Sequence, residues 1–291
     1  MALAVQDTQS LKNDLRRALS ASELFLEFQP LINLETNCVT GFEALLRWNH
    51  PVRGLISPAD FIPLAEQAGL IVGIGDWVLQ EACRWAVDWP ADISVSVNLS
   101  PVQFQSKGLV EAVKRALRNS GLSPHRLQLE ITENVLLQNS TQTHDVLTTL
   151  RALGIRIAMD DFGLGYSSLS YLQSFPFDTI KIDRSFITNL PENPQTMSIV
   201  RAVLALGQAL GISTTAEGVE SEQQASVLRE MGCLEGQGYL FSKAVLALHV
   251  PDVLSRLSER KRNAAICGLD RAARPIQMST GTCSTAVLAG L

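Results

Sequence analysis

The sequence predicts an α/β protein, a modified TIM (β/α)8 barrel in which the first strand runs antiparallel to the rest. Three observations carry that prediction. Eight short strand-like runs recur along the chain, most of them followed by about ten to fifteen residues of helical periodicity, the spacing of βαβ crossovers in a mainly parallel sheet. Eight such units in about 230 residues suit a closed barrel better than an open sheet, and no GxGxxG follows the first strand as a dinucleotide fold would require. The first two runs are joined too tightly for a parallel crossover, so they form an antiparallel pair.

In chain order, Leu11, Leu15 and Leu19 stand four apart and give a short helix between Thr8 and Ser20 one apolar stripe, read as a lid or spacer. Leu24, Leu26 and Phe28 alternate with Phe25, Glu27 and Gln29 in the first strand, Glu23 to Leu34. Val39 to Trp48 is the second, with Glu43 an acid inside an otherwise apolar run. Ser57-Pro58 opens a helix through Glu66, proline being favoured in a first turn. Ile74, Trp77, Val78, Ala82, Trp85 and Trp89 recur at helical spacing, so residues 71–89 form an amphipathic helix whose tryptophans belong to the core. The third strand is Ile93 to Leu99, and a helix from Leu109 to Asn119 is closed by Gly121. Leu127 to Glu133, Ile155 to Asp160, Thr179 to Asp183, Ile212 to Glu217 and Cys233 to Gln237 complete the strands. Between them lie helices at Thr141 to Leu153, Ser168 to Ser174, Pro194 to Leu210 and Ser221 to Met231, the last with Ser221 as N-cap. Beyond Leu257 a charge run, Glu259-Arg260-Lys261-Arg262, gives way to Ala, Gly, Ser and Thr without period. The expected division is an N-terminal helix and linker over 1–22, a barrel over 23–258 and a loose tail over 259–291.

Composition narrows the function. A net charge of -5 and the lack of a long basic run argue against a nucleic-acid polymer as partner, while 46% hydrophobic residues supply a large core. Five cysteines, odd in number and without CxxC spacing, suggest neither a disulfide framework nor a thiolate zinc site, and point to a reducing compartment. The sequence shows no signal pattern and no apolar run near the roughly 18 residues a bilayer span needs, which reads as a cytoplasmic chain with no membrane partner.

The chemistry gathers at the strand ends. Gln29, Glu43, Asn98, Glu130, Asp160 with Asp161, Lys181, Glu217 and Gln237 stand at or near them, and in a barrel such ends converge on one face. Asp160-Asp161 alone reads as a solvated turn rather than a site. Within a rim of acids it asks for divalent cations, and the all-oxygen donors suit Mg2+ or Mn2+ rather than Zn2+. None of His50, His125, His144 and His249 falls at a strand end, and all four are read as surface or loop. Adjacent aspartates suit two ions about 3.5 to 4 Å apart, the arrangement that activates a water for in-line attack on a phosphodiester. Lys181 and Arg47 would meet negative charge on the substrate or stabilise the nucleophile.

At these residues the chain resembles the EAL-domain family, bacterial phosphodiesterases that linearise cyclic di-GMP to pGpG. The resemblance rests on Glu43-Ala44-Leu45 with Leu46-Arg47-Trp48, Asn98-Leu99-Ser100, Glu130-Ile131-Thr132-Glu133, Asp160-Asp161-Phe162-Gly163, Lys181-Ile182-Asp183, Glu217-Gly218-Val219-Glu220 and Gln237-Gly238-Tyr239, in that order. It implies that Glu43, Asn98, Glu130 and Asp160 hold one metal, with Asp160, Asp161 and Glu217 around a second. By the same resemblance Lys181 contacts or activates the attacking water, Gln237 orients it, and Glu133 anchors the loop after Asp161. The resemblance further implies that Gln29, Arg47 and Leu46 touch the dinucleotide and that the protein forms a homodimer. The alternative is a receptor module that binds cyclic di-GMP without cleaving it; loss of a metal ligand would favour that reading, and none is lost. Leu164 stands where the family usually has Thr or Ala, Leu234 where an Asp is frequent, and Ala244 where a Pro is. Leu164 bears on turnover rather than on ligand binding.

Overall fold

In the computed structural model, residues 2–133, 135, 141–163, 172, 175 and 177–259 are described, with side chains from residue 9 onward. After helix α1 (Ala2–Ala18), β1 (Leu24–Asn33) and β2 (Val39–His50) pair antiparallel, from Leu24 opposite Trp48 to Ile32 opposite Val39. The other edge of β2 takes β3 (Gly54–Ile56) in a hairpin at its end and β4 (Ser94–Leu99) in parallel near its start. Parallel pairing continues through β5 (Leu127–Thr132), β6 (Arg156–Phe162), β7 (Thr179–Ile182), β8 (Ser213–Ala216) and β9 (Glu235–Gly236). β9 returns antiparallel to β1 at Ile32–Gly236, closing a ring of eight strands; β10 (Val245–Leu246) adds to the free part of β1.

The helices lie outside this ring. They are α2 (Pro58–Gln67), α3 (Ile71–Ala86), α4 (Pro101–Gln105), α5 (Leu109–Ser120), α6 (Thr141–Ala152), α7 (Arg184–Ile187), α8 (Pro194–Leu210), α9 (Glu222–Glu230) and a helix over 250–259. Their ends follow local chemistry. Gly121 and Gly211 adopt left-handed backbone at the C-caps of α5 and α8, and Ser221 forms a reciprocal capping box with Gln224.

The strands sort their side chains by parity. On β5, Leu127, Leu129 and Ile131 are buried in the apolar core, whereas Gln128 and Glu130 make side-chain bonds to Ser96, Thr179 and Lys181 of other strands. A second apolar cluster, with Leu34, Ile182, Val200, Leu204, Val219 and Leu228, packs α8 and α9 against β7 and β8. Each such side chain contributes about 1.5 to 3 kcal/mol on burial, so the fold is held from the layer between strands and helices.

Several expectations need correction. The N-terminal helix is no lid or spacer, because Leu15 and Ala18 are buried in the main core. Helix α3 ends at Ala86, before Trp89, although Trp89 is buried as expected. Cys233 to Gln237 keeps only two residues of strand, and β3 and β10 are too short to register as runs of their own. His50 is neither surface nor loop: it ends β2, is buried, and its Nδ1 accepts the amides of Val52 and Arg53. Of the helix expected over Ser168 to Ser174 only Leu172 is described, and it is buried; Leu164 and the expected tail beyond residue 259 lie outside the described residues.

One close approach is testable. At Gly238, beside Gln237, an added Cβ would run into the carbonyl oxygen and amide of Val219, which are backbone and cannot swing aside. Gly238→Ala is expected to lower stability by about 1 to 3 kcal/mol, as overpacking does. Chemical denaturation at unchanged slope measures it; a midpoint equal to wild type would show that the backbones are not in contact.

Candidate active site

The barrel delivers its polar residues to one cluster. Lys181 is 1% exposed, and its Nζ lies 2.5 Å from Glu130 Oε2, 2.6 Å from Glu217 Oε1, 3.4 Å from Asp160 Oδ1 and 3.6 Å from Glu43 Oε2. Glu43 is held from both sides, its Oε1 accepting from Asn98 Nδ2 at 2.6 Å and its Oε2 from Gln237 Nε2 at 2.8 Å. Gln237 also donates to Gln29 Oε1 at 3.1 Å, and Gln29 donates to the carbonyl of Ser242. Six strands, β2, β4, β5, β6, β7 and β1, and the residues just after β8 and β9 therefore meet at one point.

Two of these positions were misread as strand ends. Glu43 sits in the middle of β2, which runs on to His50, and Gln29 faces it from the middle of β1. The antiparallel pair runs on past the rim, where Trp48 to His50 of β2 pair with β3.

The Asp160-Asp161 pair is built by a local irregularity. Adjacent side chains of a regular strand point to opposite faces. Here β6 does not stop at Asp160 but continues to Phe162, with its register against β7 shifting between Met159 and Phe162 and Asp161 at φ 54°. The bulge turns both carboxylates into the same cleft, and the Asp161 amide donates to Asp160 Oδ1 at 3.0 Å.

The cleft has two lobes that meet at Leu45, Asp160 and Asp161. The polar lobe, ≈ 480 Å³, carries Glu43, Glu217 and Gln237. It also carries Asp183, Glu220 and Tyr239, which stand in motifs visible in the sequence, and Arg184, which follows one of them; none of the four was given a role from the sequence. The second lobe, ≈ 380 Å³, is mostly apolar and is lined by Leu46, Arg47, Ile62, Ile74 and Val78 beside Asn98. Arg47 donates to Glu27 at 2.7 Å at its edge. Glu133 is buried just after β5; the loop it was expected to anchor lies largely outside the described residues.

Five carboxylates face one ammonium, and proton affinities respond. Burial acts to neutralise Lys181, but Asp160, Glu130, Glu217 and Glu43 outweigh it and hold its pKa well above the ordinary lysine value. Burial pushes Glu130 well above the carboxylate range, the opposing charge of Lys181 being partly offset by Glu43 and Asp160. Burial likewise raises Glu217 to about 7, and raises Asp161 together with Asp160 and Asp183. Glu43 alone falls below its usual value: burial is outweighed by Lys181 and the two amide donors.

Among the described residues no group of three or more His, Cys, Asp and Glu side chains is arranged to hold a metal ion, since four of the carboxylates are drawn in on Lys181. The donor set nevertheless fits a hard cation. It is all oxygen, its negative charge exceeds what Lys181 neutralises, and the buried Glu130 Oε1 and Gln237 Oε1 have no hydrogen-bond partner. An orphaned carboxylate oxygen in an anionic site is an open ligand position.

Comparison with known proteins accords with this geometry. The family model described as EAL domain matches residues 12–244. An uncharacterised protein of Sinorhizobium fredii, y4lL, is 51% identical over 251 residues, 86% of this chain and 30% of that protein. The bifunctional diguanylate cyclase/cyclic di-GMP phosphodiesterase MucR of Pseudomonas aeruginosa is 44% identical over 246 residues, 83% of this chain and 36% of its own length. The chain thus spans about a third of the length of these curated relatives. A solved structure, the PaMucR phosphodiesterase in complex with c-di-GMP, superposes with a TM-score of 0.79 at 44% identity, covering 83% of this chain and 99% of that one.

Charge crowding at the bulge gives a prediction. Asp161→Asn keeps a side chain that tolerates left-handed backbone and removes one of the mutually repelling carboxylates. In metal-free buffer the variant is expected to melt above wild type, and its rise in Tm on adding Mn2+ to be smaller. Calorimetric melting with and without the ion measures both; a variant that melts lower without metal would show that Asp161 is not under repulsion.

Proposed function

Because the chain belongs to the EAL-domain family, we propose that it is a divalent-metal-dependent phosphodiesterase that hydrolyses cyclic di-GMP to linear pGpG. One observation carries this reading: the complete set Glu43, Asn98, Glu130, Asp160, Asp161 and Glu217 is gathered around Lys181 in a cleft with a polar and an apolar lobe. No described helix is long and apolar enough to cross a membrane.

In this reading Glu43, Asn98, Glu130 and Asp160 would hold one ion, and Asp160, Asp161 and Glu217 a second. Bound there, Mg2+ or Mn2+ lowers the pKa of a water and neutralises charge on the phosphate. The remaining steps belong to the chain. Lys181 stays an ammonium among its carboxylates, so it is no general base and acts by donating hydrogen bonds toward the incoming oxygen. Gln237 is already oriented by Gln29 and Glu43, which leaves its Oε1 free to accept from the attacking water. The water oxygen bonds to phosphorus as the bond to a ribose 3′ oxygen breaks; one proton of the water passes to a carboxylate of the cluster and from there to the departing 3′ oxygen, which leaves as a hydroxyl, while the second stays with the new terminal phosphate. Arg47 stands at the edge of the apolar lobe, positioned to meet the dinucleotide beside Leu46, whose side chain offers apolar surface to a base.

Incubation of the protein with cyclic di-GMP and either ion should yield pGpG by mass detection, and Glu43→Ala should abolish turnover. Binding of cyclic di-GMP without product under both ions would replace the enzyme with a receptor. Full activity in Glu43→Ala would refute the ligand assignment.

A further inference from the structure

The interior of a TIM barrel is usually filled by layers of bulky Val, Ile and Leu. Directly beneath the cluster described above, this barrel has a polar strap instead. Gln128 on β5 donates from Nε2 to Ser96 Oγ on β4 at 3.1 Å and accepts at Oε1 from Thr179 Oγ1 on β7 at 3.3 Å. All three side chains are buried, at 6%, 0% and 5% exposure. The bond to Thr179 spans β6, which lies between β5 and β7 and which sets Arg156 in register with Gln128 and the small Ala158 in register with Thr179.

Parity gives the strap its meaning. The next inward-facing residue after Ser96 is Asn98, after Gln128 is Glu130, and after Thr179 is Lys181. The strap therefore ties together, one layer down, the three strands that present Asn98, Glu130 and Lys181. A buried carboxamide bonded at both ends is directional where an apolar filler is not, so it fixes the separation and rotation of the strands it joins.

Resting on the proposed function, we infer that Gln128 is a positioning residue, with Ser96 and Thr179 as its anchors, that sets the distance between Glu130 and Lys181 and keeps the unbonded Glu130 Oε1 open toward a divalent cation. Gln128 touches neither substrate nor cation in this arrangement. It acts through strand spacing, and its loss lets β5 and β7 shift so that the Glu130 carboxylate, already bonded to Lys181 through Oε2, turns its free Oε1 toward the ammonium as well.

The test uses Gln128→Met, which keeps length and volume and removes both bonds, together with Thr179→Val and Thr179→Ser. Mn2+ uptake is followed by electron paramagnetic resonance without substrate, melting temperature is recorded without metal, and turnover is measured separately. Gln128→Met and Thr179→Val are expected to bind Mn2+ about tenfold more weakly than wild type, the lower range for losing an outer-shell partner. Thr179→Ser, which retains the hydroxyl, should bind as wild type does. The double variant should lose no more than the worse single one, because both break the same strap. If Gln128→Met lowers the melting temperature yet binds Mn2+ and turns over like wild type, the strap is structural only and the inference is overturned. Equal weakening in Thr179→Ser and Thr179→Val also overturns it. Wild-type protein that takes up no Mn2+ overturns the proposed function, and the inference with it, whereas normal wild-type uptake with unaffected variants removes the inference alone.

Discussion

A single buried ammonium governs the architecture of this site. Lys181 is completely enclosed, and a buried cation is tolerated only when paired and hydrogen-bonded. Four strands supply that pairing through Glu43, Glu130, Asp160 and, just past β8, Glu217. The pairing is overcomplete. One positive charge fixes the acids in place but cannot neutralise them, so burial and mutual repulsion raise Glu130, Asp161 and Glu217. Surplus negative charge held inside the fold leaves the cluster able to take further cations, and the proposed metal-assisted hydrolysis rests on that excess.

The second constraint is the bulge in β6. Left-handed backbone costs an ordinary residue about 1 to 2 kcal/mol, less for aspartate, whose short side chain bonds locally. The conformation at Asp161 is held by the ladder on either side, with Ile157 and Met159 in register with β5 and Phe162 with β7. A regular strand would present Asp160 or Asp161 to the cleft, but not both. The irregularity is thus what makes the two lobes share a pair of carboxylates.

The sequence was informative wherever a residue's role follows from periodicity. Helix α8 runs from Pro194 to Leu210 as its apolar spacing and Gly211 require, and the tight joint before Val39 gave the antiparallel first pair. The donors of the site were legible because each interrupts an apolar run. What stayed hidden depends on tertiary contact. Nothing local marks His50 as buried, since its acceptor role is created by the turn that follows it; nothing in Asp160-Asp161 reveals that the strand passes through the pair. Asp183 and Arg184 join the cleft only because β7 ends beside Glu217, while locally Asp183 is an N-cap accepting from Ser185.

The division of labour between the two faces of each strand explains how one barrel sustains so much charge. Parallel strands buried on both faces usually read as continuous apolar runs. Here β5 reads Leu-Gln-Leu-Glu-Ile-Thr, apolar outward and polar inward, so hydrophobic stabilisation comes almost wholly from the helix-facing layer. The interior is freed from that task and can hold amides and carboxylates, provided they bond to one another. Ser96, Gln128, Thr179, Thr215 and Glu235 do so below the cluster, and Asn98, Glu43, Gln237 and Gln29 do so within it. Such a network is directional and tolerates little misplacement, whereas the apolar shell tolerates exchange of shape at constant volume. Sequence change should therefore be absorbed outside the barrel, with the inward positions of the same strands keeping their hydrogen-bonding groups even where they touch no ligand.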